Sequence, residues 1–257
     1  MSSTIFVSDI HLSVGNEKRT NIFLSFLNDI SSWATAVYIL GDLFDAWIGD
    51  DTLNQHQTII NAFTKLSKST EIFIVRGNRD FLLGKQFATA AKCTMLPDEY
   101  CIEINDDNLL VSHGDIYCTN DKMYQQFRSM VHSHEWREDF LSKPVTEREQ
   151  FAQQARAASI ENYKKLNQEQ EVTFSTLFEH AKRFNAQTII HGHIHREGHV
   201  HHKLEDKTLD RFILKDWSDT LGSAVIEKNG EFKQAHYSLE KGLTIFDDVI
   251  VLNNQTT

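Results

Sequence analysis

Apolar residues recur along this chain with two different spacings. Short runs rich in β-branched and aromatic side chains, Thr4 to Val7, Val37 to Leu40, Ile72 to Val75, Leu109 to Val111 and Thr188 to Ile190, predict strands buried on both faces, as in a parallel sheet. Between the first three runs the spacing changes. Phe23, Phe26, Leu27 and Ile30 fall on one helical face, and Ile59, Ile60, Phe63 and Leu66 on another. The first half therefore predicts a βαβαβ order, whose right-handed crossovers set successive strand ends on one edge of the sheet.

After Leu109 the order is less regular. Residues 121–170 are polar and helix-prone, with basic positions at Arg128, Lys143, Arg148, Arg156, Lys164 and Lys165, and a break at Pro144. A helix with Phe151, Ala155 and Ala158 on one face follows the break. The stretch predicts a helical lid inserted over the strand ends; a surface helical hairpin without function is the alternative. A helix from Thr173 to Phe184 leads into the fifth strand. From Gly198 to Ser238 short antiparallel strands are expected, with a turn at Asn229-Gly230. The segment 242–257 is apolar, with Leu243, Ile245, Phe246, Val249, Ile250, Val251 and Leu252. Packing on the body, a dimer contact or a membrane contact would each account for it. No internal repeat interrupts residues 1–257, which are expected to form a single domain.

Each predicted strand stops at a side chain able to bind metal. Asp9-Ile10-His11 follows the first, Gly41-Asp42 the second, and Gly77-Asn78-Arg79-Asp80 the third. His113-Gly114-Asp115 follows the fourth, and His191-Gly192-His193-Ile194-His195 the fifth. One Asp after one strand commonly caps a helix or turn. Recurrence at five strand ends, on the edge where open α/β sheets bind ligands, points instead to one shared site.

Composition narrows the function. With 36 acidic against 26 basic residues the formal net charge is −10, which argues against general nucleic-acid binding. A phosphate-bearing substrate would need a locally positive site, and bound metal is the obvious source. Cys93, Cys101 and Cys118 are odd in number, lack metal-ligand spacing and fit a reducing cytosol. Neither a signal peptide nor a membrane-spanning run is expected, so the protein reads as soluble or peripherally attached.

The set Asp9-x-His11, Gly41-Asp42, Gly77-Asn78, His113 and Gly192-His193-x-His195 resembles the five-block pattern of calcineurin-like metallophosphoesterases. Within them, the stretches from Gly41 to Asp51 and from Gly77 to Gly84, with His113-Gly114-Asp115, resemble the UDP-2,3-diacylglucosamine hydrolases of lipid A synthesis. The resemblance implies an α/β sandwich of two mixed β-sheets flanked by helices, with a helical lid insertion and two metal ions at the strand ends. It assigns Asp42 as the bridging ligand, Asp9, His11 and His195 to one ion, and Asn78, His113 and His193 to the other. Oxygen ligands mixed with imidazole, without thiolate, suit two divalent ions, with Mn²⁺ expected. Hydroxide generated between them would attack the α-phosphorus of UDP-2,3-diacylglucosamine, giving UMP and 2,3-diacylglucosamine 1-phosphate.

By the same resemblance Asp42, Asn78, Arg79 and His113 are the catalytic set. Asn78, Arg79, Asp121, Ser159, Asn162, Lys165 and His193 are the substrate contacts. In a gapless comparison the family's Asn and Lys fall on Tyr163 and Leu166, next to Asn162 and Lys165. The enzyme is expected at the cytoplasmic face of the inner membrane, attached peripherally and without a protein partner.

Arg79 departs from the wider superfamily, where His often follows Gly-Asn and protonates an alkoxide leaving group. Arginine stays protonated and cannot do this, although it can hold phosphate oxygens. A leaving group that needs no proton, a phosphate monoester with second pKa ~6, is therefore expected. Asp45, Asp50, Asp51, Asp80 and Asp115 are expected to shape turns or hold a ligand histidine. His191 is expected to be buried, and His199, His201 and His202, which alternate near a predicted strand, to be solvated and to bind metal only adventitiously. Trp47 and Phe81 would border an acyl channel or pack in the core. Another dimetal phosphoesterase, or a metal-free scaffold, are the alternative functions.

Overall fold

The computed structural model describes residues 3–105, 107–165, 171–204, 207–246 and 249–253, and their side chains except at 159–165, 204, 207 and 249–253. The chain opens with β1 (Ser3–Val7), α1 (Glu17–Ile30), β2 (Ala36–Leu40), α2 (Gln57–Leu66), β3 (Glu71–Val75), α3 (Lys85–Ala91) and β4 (Thr94–Met95). Next come β5 (Glu99–Ile104), β6 (Asp107–Ser112), α4 (Lys122–Val131), α5 (His134–Ser142), α6 (Val145–Lys165), α7 (Phe174–Arg183) and β7 (Thr188–His191). Two hairpins follow, β8 (Gly198–Leu204) with β9 (Lys207–Ile213), and β10 (Gly222–Lys228) with β11 (Glu231–Ser238). The tail forms β12 (Gly242–Phe246) and β13 (Val249–Asn253).

Among the described residues the strands form a seven-stranded sheet, ordered β12-β11-β10-β1-β2-β3-β4, and a six-stranded one, β13-β8-β9-β7-β6-β5. Both are mixed. β1 to β4 run parallel, whereas β10 joins β1 antiparallel. β6, β7 and β9 also run parallel, so the ends of β1, β2, β3, β6 and β7 supply the site loops.

Period-two alternation explains how strands buried on both faces build the layers. Ile5 and Val7 on β1, Val37 and Ile39 on β2, and Ile72 and Ile74 on β3 point toward α1, α2 and α3. The intervening Phe6, Tyr38, Leu40 and Val75 point the other way, into a core with Leu109, Val111, Ile190 and Phe212 of the second sheet. Leu110, Ile189 and Leu209 leave the far face of that sheet to pack on Leu177 and Ala181 of α7. The order is thus helices, sheet, sheet, helix, the sandwich expected of the family.

The apolar tail contributes an edge strand to each sheet. β12 extends the first sheet beside β11, and β13 runs parallel to β8 at the margin of the second. The Asn229-Gly230 turn forms as expected, with φ of 56° and 86° at its two residues. No helix among the described residues is long and apolar enough to cross a membrane.

Candidate metal centre

The loops leaving the strands are stitched together by their backbones. Asp9 N donates to Gly41 O at 3.1 Å, His11 N to Asp42 O at 2.9 Å, and Gly192 N to His113 O at 2.9 Å. Asp9, His11, Asp42, His193 and His195 all take left-handed backbone conformations, with φ between 52° and 69°. Each such residue costs roughly 1–2 kcal/mol. The other described non-glycine residues with positive φ, Lys92, Asn105, Asn185 and Asn229, lie at a helix end or in turns. Strain gathered at one place marks a functional site, and here it aims five polar side chains inward.

The side chains converge in two groups that share Asp42. In the first, His195 Nε2 lies 3.2 Å from Asp9 Oδ1 and 3.3 Å from His11 Nε2. In the second, Asn78 Oδ1 lies 2.8 Å from His113 Nε2 and 3.0 Å from His193 Nδ1, with the two imidazole nitrogens 3.2 Å apart. Asp42 reaches both, its Oδ2 being 3.9 Å from His11 Nδ1 and its Oδ1 3.8 Å from His113 Nε2. All seven residues named from the sequence as metal ligands therefore meet at one place.

Close packing allows this approach. A Cβ at Gly77 would stand 2.1 Å from Asp42 Oδ1, and one at Gly192 would stand 2.1 Å from Asp9 Oδ2. Asp80, fully buried, takes hydrogen bonds from Gly77 N at 2.7 Å, Leu43 N at 2.8 Å and Phe44 N at 3.3 Å, tying the loop after β3 to the loop after β2. Leu40 O holds the ring of His113 through Nδ1 at 2.9 Å. Behind Asp9, Trp217 donates its backbone N–H to Asp9 O at 2.9 Å and buries its indole against Phe23 and Phe26. The sequence gives no local sign of Trp217's part, because the contact closes only through the fold.

Burial pushes the imidazoles of His11 and His193 down to about 3, so both are neutral near pH 7 and offer a lone pair. Burial, and then the carboxylates of Asp80 and Asp9, push Asp42 up to about 7 against the pull of His113. Burial opposes the charged form of His113 too, but Asp42 and Asp9 raise it to about 9. The buried carboxylates of Asp9 and Asp42, set beside the neutral imidazoles of His11 and His193, make a donor set that divalent cations satisfy. His11 Nδ1, buried without a hydrogen-bond partner, fits the same reading.

A cavity of about 470 Å³ opens beside the second group. Asn78 and Arg79 form its polar wall, while Trp47, Phe81, Leu82, Phe127, Phe140 and Phe151 supply apolar lining from the core and from α4, α5 and α6. Among the described residues no hydrogen bond ties the Arg79 guanidinium, although its charge helps to lower the pKa of His11. Asp121 also lines the cavity, with its carboxylate capping α4 through Tyr124 N at 2.9 Å. Ser159, Asn162 and Lys165 lie on the final turns of α6, where the side chains fall outside the described residues, and Leu166 falls outside them altogether.

Among the described residues, none of Asp45, Asp50, Asp51, Asp80 and Asp115 makes a hydrogen bond to a ligand histidine. Asp50 caps α3 by accepting from Gly84 N, Gln86 N and Phe87 N. Asp51 pairs with buried Arg148, and Asp45 with Arg156, so both anchor α6. Asp115 binds Tyr124 and Arg128 of α4. His191 is buried as expected, accepting from Arg211 Nε at 2.9 Å. The expectation that His202 is solvated is wrong: it is 3% exposed and packs on Phe174, because its β8 position turns it toward α7.

The model of the calcineurin-like phosphoesterase family matches residues 2–197. A UDP-2,3-diacylglucosamine hydrolase of Neisseria gonorrhoeae is 39% identical over 227 residues, spanning 87% of this chain and 93% of its own length. The enzyme of the same name from Stenotrophomonas maltophilia K279a is 38% identical, over 84% of this chain and 91% of its own. That of Aromatoleum aromaticum is 36% identical, over 84% and 90%. With its two-sheet sandwich and converging donors, the chain belongs to the calcineurin-like phosphoesterase family of hydrolases, in the branch of the UDP-2,3-diacylglucosamine hydrolases.

Proposed function

We propose that this chain hydrolyses the pyrophosphate bond of UDP-2,3-diacylglucosamine, releasing UMP and 2,3-diacylglucosamine 1-phosphate. The observation that carries the reading is the shared wall at Asn78 and Arg79, with a metal-capable donor set on one side and a large apolar cavity on the other. A substrate that joins a charged pyrophosphate to two acyl chains fits both. A nucleotide phosphodiesterase or a phosphoprotein phosphatase has no use for the second.

Asp9, His11 and His195 would hold one divalent ion and Asn78, His113 and His193 the other, with Asp42 between them and Mn²⁺ as the expected metal. When bound, the pair supplies Lewis acidity and lowers the pKa of water. The chain does the rest. Arg79 presents charged donors to the phosphoryl oxygens and neutralises charge as it develops. It gives no proton, and the departing sugar phosphate needs none. Helices α4 to α6 act as the lid, anchored by Asp115, Asp45 and Asp51, and their aromatic residues keep water from the acyl chains. Asp121, Ser159, Asn162 and Lys165 would meet the nucleotide or sugar. Exposed Met123, Met130 and Leu141 on α4 and α5 suit shallow contact with the cytoplasmic face of the inner membrane.

The test is to incubate purified protein with Mn²⁺ and the diacylated UDP-sugar in heavy-oxygen water and identify products by mass. Labelled UMP with unlabelled 2,3-diacylglucosamine 1-phosphate is expected. Release of UDP or of inorganic phosphate would reject the reading.

A further inference from the structure

We propose that the β8–β9 hairpin carries a separate metal site, formed by His199, His201 and Asp210, that takes one divalent ion of the zinc class. His199 and His201 are two residues apart on β8 and share a face. Asp210 stands directly opposite His201 in the antiparallel register. The sheet thus brings two imidazoles and one carboxylate together, with a ligand atom of each within 4.8 Å of the others.

The contacts point to a shared occupant. His199 Nε2 lies 3.4 Å from Asp210 Oδ1, and His201 Nδ1 touches the same oxygen. His199 Nε2 and Asp210 Oδ1 are shielded from water and engage only one another and His201, whose imidazole and that of His199 together hold the Asp210 carboxyl below its usual range. Such atoms are costly unless something satisfies them. The His199 ring is already fixed, stacked on Phe212 with centroids 3.8 Å apart and planes 17° from parallel. The arrangement is therefore preorganised rather than a pair of loose surface histidines.

Donor chemistry selects the ion. Two imidazoles and one carboxylate suit Zn²⁺, which accepts three protein ligands and a water. The order of divalent affinities places Mn²⁺ well below zinc at a nitrogen-rich site. An ion here would clamp β8 to β9 just after the loop that carries His193 and His195. None of the seven residues of the main site takes part, so the proposal stands or falls independently of the reaction assigned above.

The experiment measures Zn²⁺ retained by the full-length protein after equilibration with Zn²⁺ alone and desalting. The native chain is expected to retain one equivalent more than His201→Gln, and to gain a larger rise in melting temperature than the variant, whose main site still takes metal. Asp210→Asn is the second variant, nearly isosteric and serving if the first does not fold, with circular dichroism as the check on both. Both variants should keep native turnover in Mn²⁺. Equal Zn²⁺ content in the native chain and in a folded variant overturns the proposal.

Discussion

The backbone N–H of Arg79 donates to Asp42 Oδ1 at 2.8 Å. The carboxylate that joins the two donor groups therefore also anchors the residue that faces the cavity, coupling metal geometry to the grip on substrate.

Asp42→Asn should remove activity by several orders of magnitude while the melting temperature stays near native, since the amide keeps the shape and loses the bridging charge. Turnover assays beside thermal melts check this. Near-native turnover would refute a centre bridged at Asp42.

Arg79→Ala should lower kcat by roughly 100-fold, the usual worth of one preorganised donor at a charged transition state. Arg79→His should not restore pyrophosphate cleavage. A change confined to KM would make Arg79 an anchor of the ground state and defeat the leaving-group argument.

Gly192→Ala places a methyl group 2.1 Å from Asp9 Oδ2 and 2.2 Å from Ser8 Oγ. Displacing Asp9 should cost roughly 100-fold in activity and lower the bound metal, as small misplacements do in such sites. Elemental analysis beside kinetics gives the answer, and native metal content with native rate would contradict it.

Ala155 lines the cavity from α6. Ala155→Trp should shift the preference toward substrates with shorter acyl chains, read as the ratio of kcat/KM across a chain-length series. An unchanged ratio would place the chains elsewhere.

His56 packs on the rings of Phe44 and Trp47, at 4.5 and 5.0 Å, and burial pushes its imidazole from 6.5 down to about 4. Between those two values the unfolded chain binds more protons than the folded one, so stability rises with pH across that window and is fully present above it. His56→Phe should flatten the dependence of melting temperature on pH between about 4 and 6.5. Parallel native and variant curves would exclude His56 as the cause.

Much of this was legible because burial forces abrupt transitions. A strand packed on both faces must be apolar until it ends, so Leu40 followed by Gly41-Asp42, or Ile190 followed by His191, marks an edge without help from tertiary structure. What the sequence hides is contact across long separations. Asp50 reads as a turn residue or a partner for a ligand histidine, and it caps α3, which lies far along the chain. Arg148 reads as a solvated base of the lid, yet it is 2% exposed because Asp51 and Ile48 O enclose it. His199, His201 and His202 read as solvated positions beside a strand, whereas the pairing of β8 with β9 sends His202 to one face and His199 and His201 to the other. The left-handed conformations at Asp9, His11, Asp42, His193 and His195 have no sequence marker either, since none of these positions is glycine.

Phe246 ends the strand at the margin of one sheet, and Val249 begins the strand at the margin of the other. Three residue steps of fully extended chain cover at most about 10 to 11 Å, close to the ~10 Å at which stacked sheets pack. The covalent link between the two strands therefore has a bounded reach. The two sheets cannot part along that side unless β12 or β13 first unzips from its neighbour, so hydrogen exchange at β8 and β11 should report opening of the sandwich as a joint event.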